Sequence, residues 1–228
     1  MTGLSFDQAI PSERELAERF GVSRMTVRQA VDQLVVDGRL YRASPKGTFV
    51  ARPKIVLKVE LTSFTEDMRS RGLVPGSVEL TRETVPATSA VARELQIRVK
   101  DPVHVLERLR TANGEPMAIE RAHLPAAIAP DLLAHDLTGR SLYQILDERY
   151  GVVLDAGEQT AEASVVEPGA DTLLAIPPGS PVLLFTRRSF AGGTPIEYVQ
   201  STYRGDRYQL RIALNLPGRT PLPSGERP

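Results

Sequence analysis

The sequence predicts an α+β protein built as two domains of unequal size. Residues 1–54 hold nine Lys or Arg against six Asp or Glu, and the remaining chain holds 19 against 22, so a small basic domain precedes a mildly acidic one. Short helical segments and a hairpin follow one another in the first domain. The second contains a repeated order of helices and antiparallel strands. The expected divisions are a first domain at 1–52, a linker at 53–60, a second domain at 61–217 and a disordered tail at 218–228.

The composition excludes several classes of protein. Of the 228 residues, 41% are hydrophobic and 25% charged, which is ordinary for a chain that buries a core. Cysteine is absent, which excludes disulfides, thiolate nucleophiles and thiolate metal sites. The chain has neither an apolar run long enough to span a membrane nor the pattern of a signal peptide. We therefore expect a cytoplasmic protein without a membrane partner, a metal site or a cofactor.

A short helix is predicted after Pro11. Ser12 and Glu15 have the spacing of a capping box, and Gly21 suits the left-handed residue that ends a helix. The apolar stripe of this helix, together with a buried residue in the turn that follows, is expected at Leu16, Ala17, Phe20 and Val22.

A second helix and a hairpin follow. Ser23 can cap a helix from Arg24 to Asp37, and Gly38 can end it. Residues 40–42 and 48–50 are predicted strands, with residues 43–47 as the turn between them. Two helices joined by a tight turn and followed by a hairpin are the parts of a winged helix-turn-helix. The exposed start of the second helix carries Arg24, Thr26 and Arg28, which can donate to phosphates and base edges in the major groove.

This segment resembles the winged helix of the GntR family of bacterial regulators over some 40 contiguous residues, PSERELAERFGVSRMTVRQAVDQLVVDGRLYRASPKGTFVARP. The family normally has a further helix before this segment. We expect that first helix to be missing here, because residues 3–7 do not form one. The resemblance implies a double-stranded, palindromic DNA operator as partner, with DNA contacts from Arg14, Ser23, Arg24, Thr26, Arg28, Lys46 and Gly47.

The second domain repeats itself. A shift of 79 residues aligns it with itself without gaps, so that Phe64 falls on Tyr143 and Arg108 on Arg187. Each copy reads as a helix, a strand, a short helix and a hairpin, and the first hairpin turns through Asn113-Gly114. Two such copies predict one antiparallel sheet with pseudo-twofold symmetry, helices packed on one face, and a ligand pocket between the halves.

Charged residues of the repeat suggest what that pocket binds. Arg108 and Arg110 are two residues apart on a strand, so they share a face and repel each other unless an anion or a carboxylate lies between them. Glu120, on the partner strand, is a candidate carboxylate. The residues from Ser63 to Thr65, and Ser141, lie at helix starts, where free backbone N–H groups favour phosphate. Aromatic and hydrogen-bonding groups are expected from Tyr143, Glu197 and Tyr203.

The second domain resembles the UTRA effector domain of the HutC-type branch of the GntR family, over nearly all of residues 60–217. The motifs are TSFTEDMRSRG, ERLRTANGEPMAIE, SLYQILDERYG and YRGDRY. The resemblance implies a chorismate-lyase-like fold and a homodimer. The resemblance is strongest to amino-sugar regulators, whose effectors are phosphorylated glucosamine derivatives. It therefore implies a repressor that binds such an effector. The implied effector contacts are Phe64, Thr65, Arg108, Arg110, Glu120, Ser141, Tyr143, Glu197 and Tyr203.

Other interpretations stay open on the residues alone. Ser63 and Ser141 are also consistent with simple helix caps, Phe64 and Tyr143 with core residues, and Arg108 and Glu120 with a cross-strand ion pair. A different small anion is the alternative effector. An enzyme is conceivable by analogy with chorismate lyase, but no nucleophile elbow or acid–base pair is present, and the histidines His104, His123 and His135 lack metal-ligand spacing. A DNA-packaging protein conflicts with the large domain that carries no basic surplus.

Overall fold

The structure is a computed structural model that describes residues 5–43, 45–57 and 60–212. It divides into two compact units, Met1–Ile55 and Val56–Pro228, here called the head and the body. The predicted tail at 218–228 lies outside the described residues, as does Ser44 of the predicted turn. Among the described helices, none is long and apolar enough to cross a membrane.

The head has the predicted winged helix-turn-helix. Ser12 caps the first helix with a complete capping box, and Gly21 follows in the left-handed conformation with φ 64°. Ser23 caps the second helix and accepts the backbone N–H of Thr26. An antiparallel hairpin completes the motif. The elements are α1 (Glu13–Phe20), α2 (Arg24–Val36), β1 (Leu40–Ala43) and β2 (Gly47–Val50).

The core of the head is smaller than the sequence suggested. Phe20, part of the predicted apolar stripe, is 66% exposed, and Val22 is 42% exposed, so the prediction that Val22 is buried was wrong. Residues 5–12 contain no helix and instead follow the hairpin, where Ala9 bridges Phe49. Phe20 is the last residue of α1, and no described element of the head covers its ring. The buried residues that join the two helices to the hairpin are Ala17, Val27, Val31 and Leu40.

A six-stranded antiparallel sheet forms the centre of the body, in the order β4-β5-β6-β9-β8-β7. The first three strands belong to one repeat and the last three to the other. Each repeat runs from its edge of the sheet to the centre in the same order, as the 79-residue shift predicts. The first half comprises α3 (Phe64–Ser70), β4 (Pro75–Pro86), α4 (Ser89–Leu95), β5 (Pro102–Ala112) and β6 (Glu115–Pro125). The second comprises α5 (Leu142–Tyr150), β7 (Ala156–Val165), α6 (Ala170–Leu174), β8 (Pro181–Ala191) and β9 (Thr194–Arg204).

The backbone repeats as closely as the sequence does. Gln96 and Ala175, which are 79 positions apart, end α4 and α6 with left-handed φ angles of 53° and 52°. Asn113 and Gly192 take φ angles of 51° and 55° in the two hairpin turns. Non-glycine residues rarely adopt such angles. Their recurrence at equivalent positions shows that the two halves have the same local backbone conformation.

Helices cover both faces of the sheet, which corrects the prediction of a single covered face. α5 packs on Leu106 of β5, whereas α4 packs on Val103 of the same strand. These two residues are three apart, and side chains on a strand alternate, so they point to opposite faces. The face that carries Leu106, Arg108 and Arg110 is called the pocket face below.

The segment expected to be a plain linker contains a strand. β3 (Ile55–Leu57) pairs with β10 (Tyr208–Leu210) in a separate two-stranded sheet. The Arg71 guanidinium donates to the carbonyl of Val56 at 2.6 Å and to the Asp67 carboxylate at 2.7 Å. These bonds attach the start of the body to the end of α3.

Candidate effector site and DNA-binding surface

The start of α2 presents polar groups on the surface of the head. Ser23 Oγ accepts the Thr26 N–H at 3.1 Å and lies 2.9 Å from Thr26 Oγ1, so both hydroxyls help to cap the helix. Arg24, the first residue of α2, is exposed. It forms no ion pair with any residue that the structure describes. The positive side chain therefore stands beside a helix N-terminus, which is itself a favourable place for a phosphate.

Two other arginines of the predicted set are engaged within the head. Arg28 Nη2 lies 3.0 Å from Glu13 Oε2 and thereby joins α2 to α1. Its hydrogen bond to Glu13 raises the pKa of Arg28. Arg14 makes a longer contact, 3.9 Å, to Glu18 on its own helix. Both pairs are exposed, so they are weak and can open when a phosphate approaches.

The hairpin supplies the remaining predicted groups. Lys46 is exposed in the turn between β1 and β2, and Gly47 follows with φ 123°, an angle that favours glycine. Tyr41 and Phe49 stack across the hairpin with ring centroids 5.4 Å apart, which stiffens it. All seven predicted DNA-contacting residues thus lie on α1, at the start of α2 or on the wing.

Buried charges lie on the pocket face of β5 and β6. Arg108, Arg110 and Glu120 are 4%, 3% and 6% exposed, which is rare for charged side chains. Arg108 pairs with Glu120 in the strand register, and its Nη2 lies 2.5 Å from Glu120 Oε1. Arg110 Nη1 is farther from the same oxygen, at 4.0 Å. Burial alone would raise the pKa of Glu120, but the adjacent arginines hold it below its usual value.

Arg110 is held by the start of α3. Its Nη2 donates to Thr65 Oγ1 at 2.9 Å, and its guanidinium lies 4.7 Å from the centre of the Phe64 ring. Burial, together with the like charge of Arg108, lowers the pKa of Arg110 to about 10 even though Glu120 opposes the shift. A lowered pKa means that the charged form is less favourable in the unliganded pocket than it is in water.

The starts of α3 and α5 meet above this cluster. Ser63 and Ser141 cap the two helices, as the simpler interpretation expected, and Ser141 Oγ donates to Ser63 Oγ at 3.0 Å. These serines are 78 positions apart, so the contact lies at the junction of the two repeats. The same two serines therefore cap their helices and bring the two helix starts together.

The second half of the cluster is rich in acceptors. Glu197 accepts from Tyr143 Oη at 2.9 Å and from Ser189 Oγ at 3.0 Å, and it is 2% exposed. Burial raises the pKa of Glu197 and also the pKa of Tyr143. The repeat partner of Arg110 is Ser189, so the two halves differ in charge at equivalent positions. The first half contributes two arginines to the site, whereas the second contributes one, Arg187, beside the acceptor Glu197.

Arg187 belongs to the site although it was not among the predicted contacts. Its Nη1 donates to the Thr62 carbonyl at 3.3 Å, and its guanidinium lies 5.7 Å from the centre of the Tyr143 ring. Burial alone would lower the pKa of Arg187, but Tyr143 and Glu197 raise it. The sequence contained a signal for this residue, because the 79-residue repeat places it on Arg108.

Five guanidinium nitrogens of the cluster are buried without a hydrogen-bond partner among the described residues. They are Nε and Nη1 of Arg108, Nε and Nη1 of Arg110, and Nε of Arg187. Buried donors are normally satisfied, and leaving one unpaired costs about 1–3 kcal/mol, more when the group is charged. Three arginines face two carboxylates here, so an incoming anion would meet surplus positive charge.

Two adjoining cavities open around these groups. The inner one, about 240 Å³, is lined by seven of the nine predicted effector contacts, namely Phe64, Thr65, Arg108, Arg110, Glu120, Tyr143 and Glu197. The outer one, about 590 Å³, is lined by Tyr203. Ser141 lines neither cavity and reaches the site only through Ser63. The two cavities share Ser63, Phe64 and Arg187, so they are neighbours on the same face of the sheet.

The histidines do not form a catalytic or metal-binding group. His104 bonds to Thr84 and to the Ala129 carbonyl, both at 2.9 Å, and His135 bonds to Tyr150 at 3.0 Å. Burial lowers the pKa of His123. Within the described ranges, no group of three or more histidine or acidic side chains is arranged to hold a metal ion.

Comparisons with known proteins agree with this architecture. Residues 2–50 match the family of bacterial regulatory proteins described as the gntR family, and residues 70–209 match the UTRA domain. The chain is 41% identical over 204 residues to the HTH-type transcriptional repressor NagR of Bacillus subtilis (strain 168), covering 89% of this chain and 84% of that protein. It is 35% identical over 202 residues to the histidine utilization repressor of Pseudomonas putida, covering 88% and 81%.

A solved structure extends the likeness to three dimensions. The crystal structure of PhnF from Mycobacterium smegmatis superposes with a TM-score of 0.70 at 32% identity, covering 93% of this chain and 94% of that one. The two family matches and the repressors among the relatives identify the chain as a DNA-binding transcription regulator, and not an enzyme. The chain belongs to the GntR family of bacterial regulators, as a HutC-type repressor with a UTRA domain.

Proposed function

We propose that the body binds a phosphorylated amino sugar, such as glucosamine-6-phosphate or its N-acetyl form, and that this effector controls DNA binding by the head. The observation that carries the proposal is the set of five unpartnered guanidinium nitrogens on Arg108, Arg110 and Arg187, the three arginines that line the inner cavity. A phosphate dianion brings several acceptor oxygens and offsets the surplus positive charge there. Residues 61–217 then form the effector domain, and residues 1–52 the DNA-binding domain.

The two sides of the inner cavity suit the two ends of such a ligand. Arg108, Arg110 and Thr65 receive the phosphate, next to the start of α3. Across the cavity, Glu197 accepts from a sugar hydroxyl or an amine, in place of one of its present bonds to Tyr143 and Ser189. The remaining predicted contacts stay part of the proposal: Phe64, Glu120, Ser141 and Tyr203.

DNA release by the effector tests this function. A DNA duplex selected by the native chain from a random pool is labelled, and its affinity is measured by anisotropy with increasing glucosamine-6-phosphate or N-acetylglucosamine-6-phosphate. We expect the affinity to fall by about 5- to 150-fold, the usual range of coupling between sites. Glucosamine without phosphate is the control and should have no effect.

The same assay distinguishes a different small anion. If inorganic phosphate or a dicarboxylate releases DNA as well as the sugar phosphates do, the pocket recognises an anion and not an amino sugar. If none of these compounds changes DNA affinity, the proposed coupling is wrong. In the bacterium this exchange takes place in the cytoplasm, where the operator lies.

We further propose that the body forms the homodimer through β7. This strand lies at one edge of the sheet and is exposed along nearly its whole length on both faces. The opposite edge, β4, carries proline at both ends and a bulge between Glu79 and Thr81, which are common protections of an edge strand. β7 contains neither proline, lysine nor arginine. A second copy paired along this edge continues the sheet and brings two heads to a palindromic operator.

The replacement of Thr160 by Glu tests the β7 interface. It adds a carboxylate to a strand that already carries Glu158 and Glu162. When the β7 strands of two copies pair, these negative charges should repel each other. We expect the dimer dissociation constant, measured by sedimentation, to rise about tenfold. The matched control is Val78→Glu on β4, which is 54% exposed and should leave the dimer unchanged. Equal effects of both substitutions would exclude β7 as the specific interface.

A further inference from the structure

Two side chains of α2 that are absent from the predicted DNA contacts point away from the core of the head. Val27 and Val31 are buried and define the inner face of the helix. Each residue of an α-helix is turned by about 100° from the one before it. Met25 therefore points away from Val27, and Gln29 lies one turn beyond Met25 on the same face. Met25 is 59% exposed and Gln29 is also exposed. These two residues are called the outward pair.

The charged residues next to the outward pair are attached to other elements of the head. The Arg28 guanidinium pairs with Glu13 of α1, and the Asp32 carboxylate pairs with Arg42 of β1. Both side chains therefore lean towards the rest of the head. The outward pair, in contrast, has no side-chain hydrogen bond or ion pair with any residue that the structure describes, so its groups are available to DNA.

The outward pair lies at the start of the helix that reads DNA in this motif. The second helix of a helix-turn-helix enters the major groove, and the residues near its start contact base edges. Met25 is the second residue of α2, between Arg24 and Thr26, and Gln29 is the sixth. An exposed apolar side chain by itself carries little information, because most protein surfaces contain some. The position of Met25 on the groove-facing side of α2 is what indicates a function.

The two side chains have the chemistry of base recognition. Thymine is the base that carries a methyl group in the major groove, and an apolar side chain recognises it by contact. Methionine is unbranched and flexible, so it adapts to such a surface. The glutamine amide can donate to N7 of adenine and accept from its N6 amino group. The outward pair therefore suits one thymine and one adenine.

We propose that the outward pair sets the sequence preference of the head: Met25 covers the methyl group of a thymine, and Gln29 forms a bidentate pair with an adenine. Four residues of α-helix rise about 6 Å, and successive base pairs are about 3.4 Å apart. The thymine and the adenine therefore lie within about two base pairs of each other. This inference goes beyond the proposed effector function and does not depend on it.

Removal of single methyl groups from the DNA tests the role of Met25. A duplex selected by the native chain from a random pool is remade with one thymine at a time replaced by uracil, which lacks only the methyl group. We expect uracil at one position to weaken binding of the native chain about fourfold, the effect of one buried methyl group, as measured by anisotropy. Met25→Ala should bind the thymine and uracil duplexes equally.

An equally small change tests the role of Gln29. Replacement of adenine by 7-deazaadenine puts a carbon in place of N7 and removes one hydrogen-bond acceptor. We expect this change, within about two base pairs of the sensitive thymine, to weaken binding of the native chain about fivefold. Gln29→Leu keeps a side chain of similar size without the amide, so it should not distinguish the two duplexes.

A matched control lies on the same face at the other end of the helix. Val36 is the last residue of α2 and is 80% exposed, but it lies three turns from Met25. Val36→Ala should therefore respond to uracil and to 7-deazaadenine as the native chain does. All three variants change exposed side chains, so their melting temperatures should equal that of the native chain.

Each residue can be excluded separately. If uracil at every thymine position leaves the affinity of the native chain unchanged, or if Met25→Ala keeps the native response to uracil, Met25 does not recognise a methyl group. If Gln29→Leu still discriminates against 7-deazaadenine as the native chain does, Gln29 does not bind the adenine. Equal loss of the uracil response in Val36→Ala would show that the effect does not belong to the start of α2.

Discussion

Replacement of Arg110 by Met is expected to weaken effector binding by about 30-fold or more without destabilising the ligand-free protein. Arg110 faces the inner cavity with two unpartnered buried nitrogens and contacts Thr65 at the start of α3. Removing one partner of a buried charge interaction costs about 2–5 kcal/mol of binding, and each 1.4 kcal/mol is tenfold in affinity. Calorimetry with glucosamine-6-phosphate measures the loss.

The stability of the ligand-free protein should not fall when Arg110 is replaced. Burial and Arg108 lower the pKa of Arg110 to about 10, so the unliganded fold holds this charge at a cost. Glu120 keeps its closer partner, Arg108, at 2.5 Å when Arg110 is removed. We therefore expect the melting temperature of the ligand-free variant to equal or exceed that of the native chain. Removing one partner of a buried ion pair is destabilising when the other charge is left unpaired, but here Glu120 stays paired with Arg108.

A matched control comes from the same hairpin. Arg121 lies on β6, on the face opposite to Glu120, with its side chain 45% exposed. Arg121→Met should change neither effector affinity nor melting temperature appreciably. A large fall in the melting temperature of Arg110→Met would identify Arg110 as a structural residue and contradict its assignment to the effector.

Replacement of Arg24 by Ala is expected to weaken DNA binding by about 10- to 100-fold, the effect of one good base or phosphate contact. Arg24 is exposed at the start of α2, beside the helix N-terminus that approaches DNA in this motif. Anisotropy at several salt concentrations measures the effect. If Arg24 contacts a phosphate, the slope of log affinity against log salt concentration should fall in magnitude by about one. If it contacts a base, the variant should show a weaker sequence preference.

Arg19→Ala makes the same change of charge elsewhere on the head. Arg19 lies near the end of α1 with its guanidinium 5.8 Å from the centre of the Phe20 ring. Its loss should reduce DNA affinity less than threefold, through long-range electrostatics alone. Equal effects of the two substitutions would mean that Arg24 contributes only to the net charge of the head. Neither variant should alter effector binding.

The sequence predicted the head well where signals are local. Ser12, Glu15 and Gly21 determine the ends of α1 within a few residues of chain, so capping alone was enough to place it. Exposure of Phe20 depends instead on which other element covers α1, and no local pattern contains that information. For this reason the helix and its buried Ala17 were predicted correctly, whereas the exposure of Phe20 was not.

The fold of the body was predictable because its two halves have similar sequences, so that each half supports the prediction made for the other. The repeat gave the hairpins, the symmetric strand order and, had it been followed to its end, Arg187 as the partner of Arg108. The two covered faces also had a signal, since the consecutive residues Val105 and Leu106 are both apolar and buried although they point to opposite faces of β5. The bond between Ser63 and Ser141 had none, because it depends on how the two halves pack against each other.

A crystal structure of the chain with glucosamine-6-phosphate tests the central claim most directly. We expect the phosphate oxygens within hydrogen-bonding distance of the unpartnered nitrogens of Arg108 and Arg110, and the sugar ring turned towards Glu197 and Tyr143. A phosphate bound outside the inner cavity, or a ring turned the other way so that the phosphate faces Glu197, would contradict this assignment.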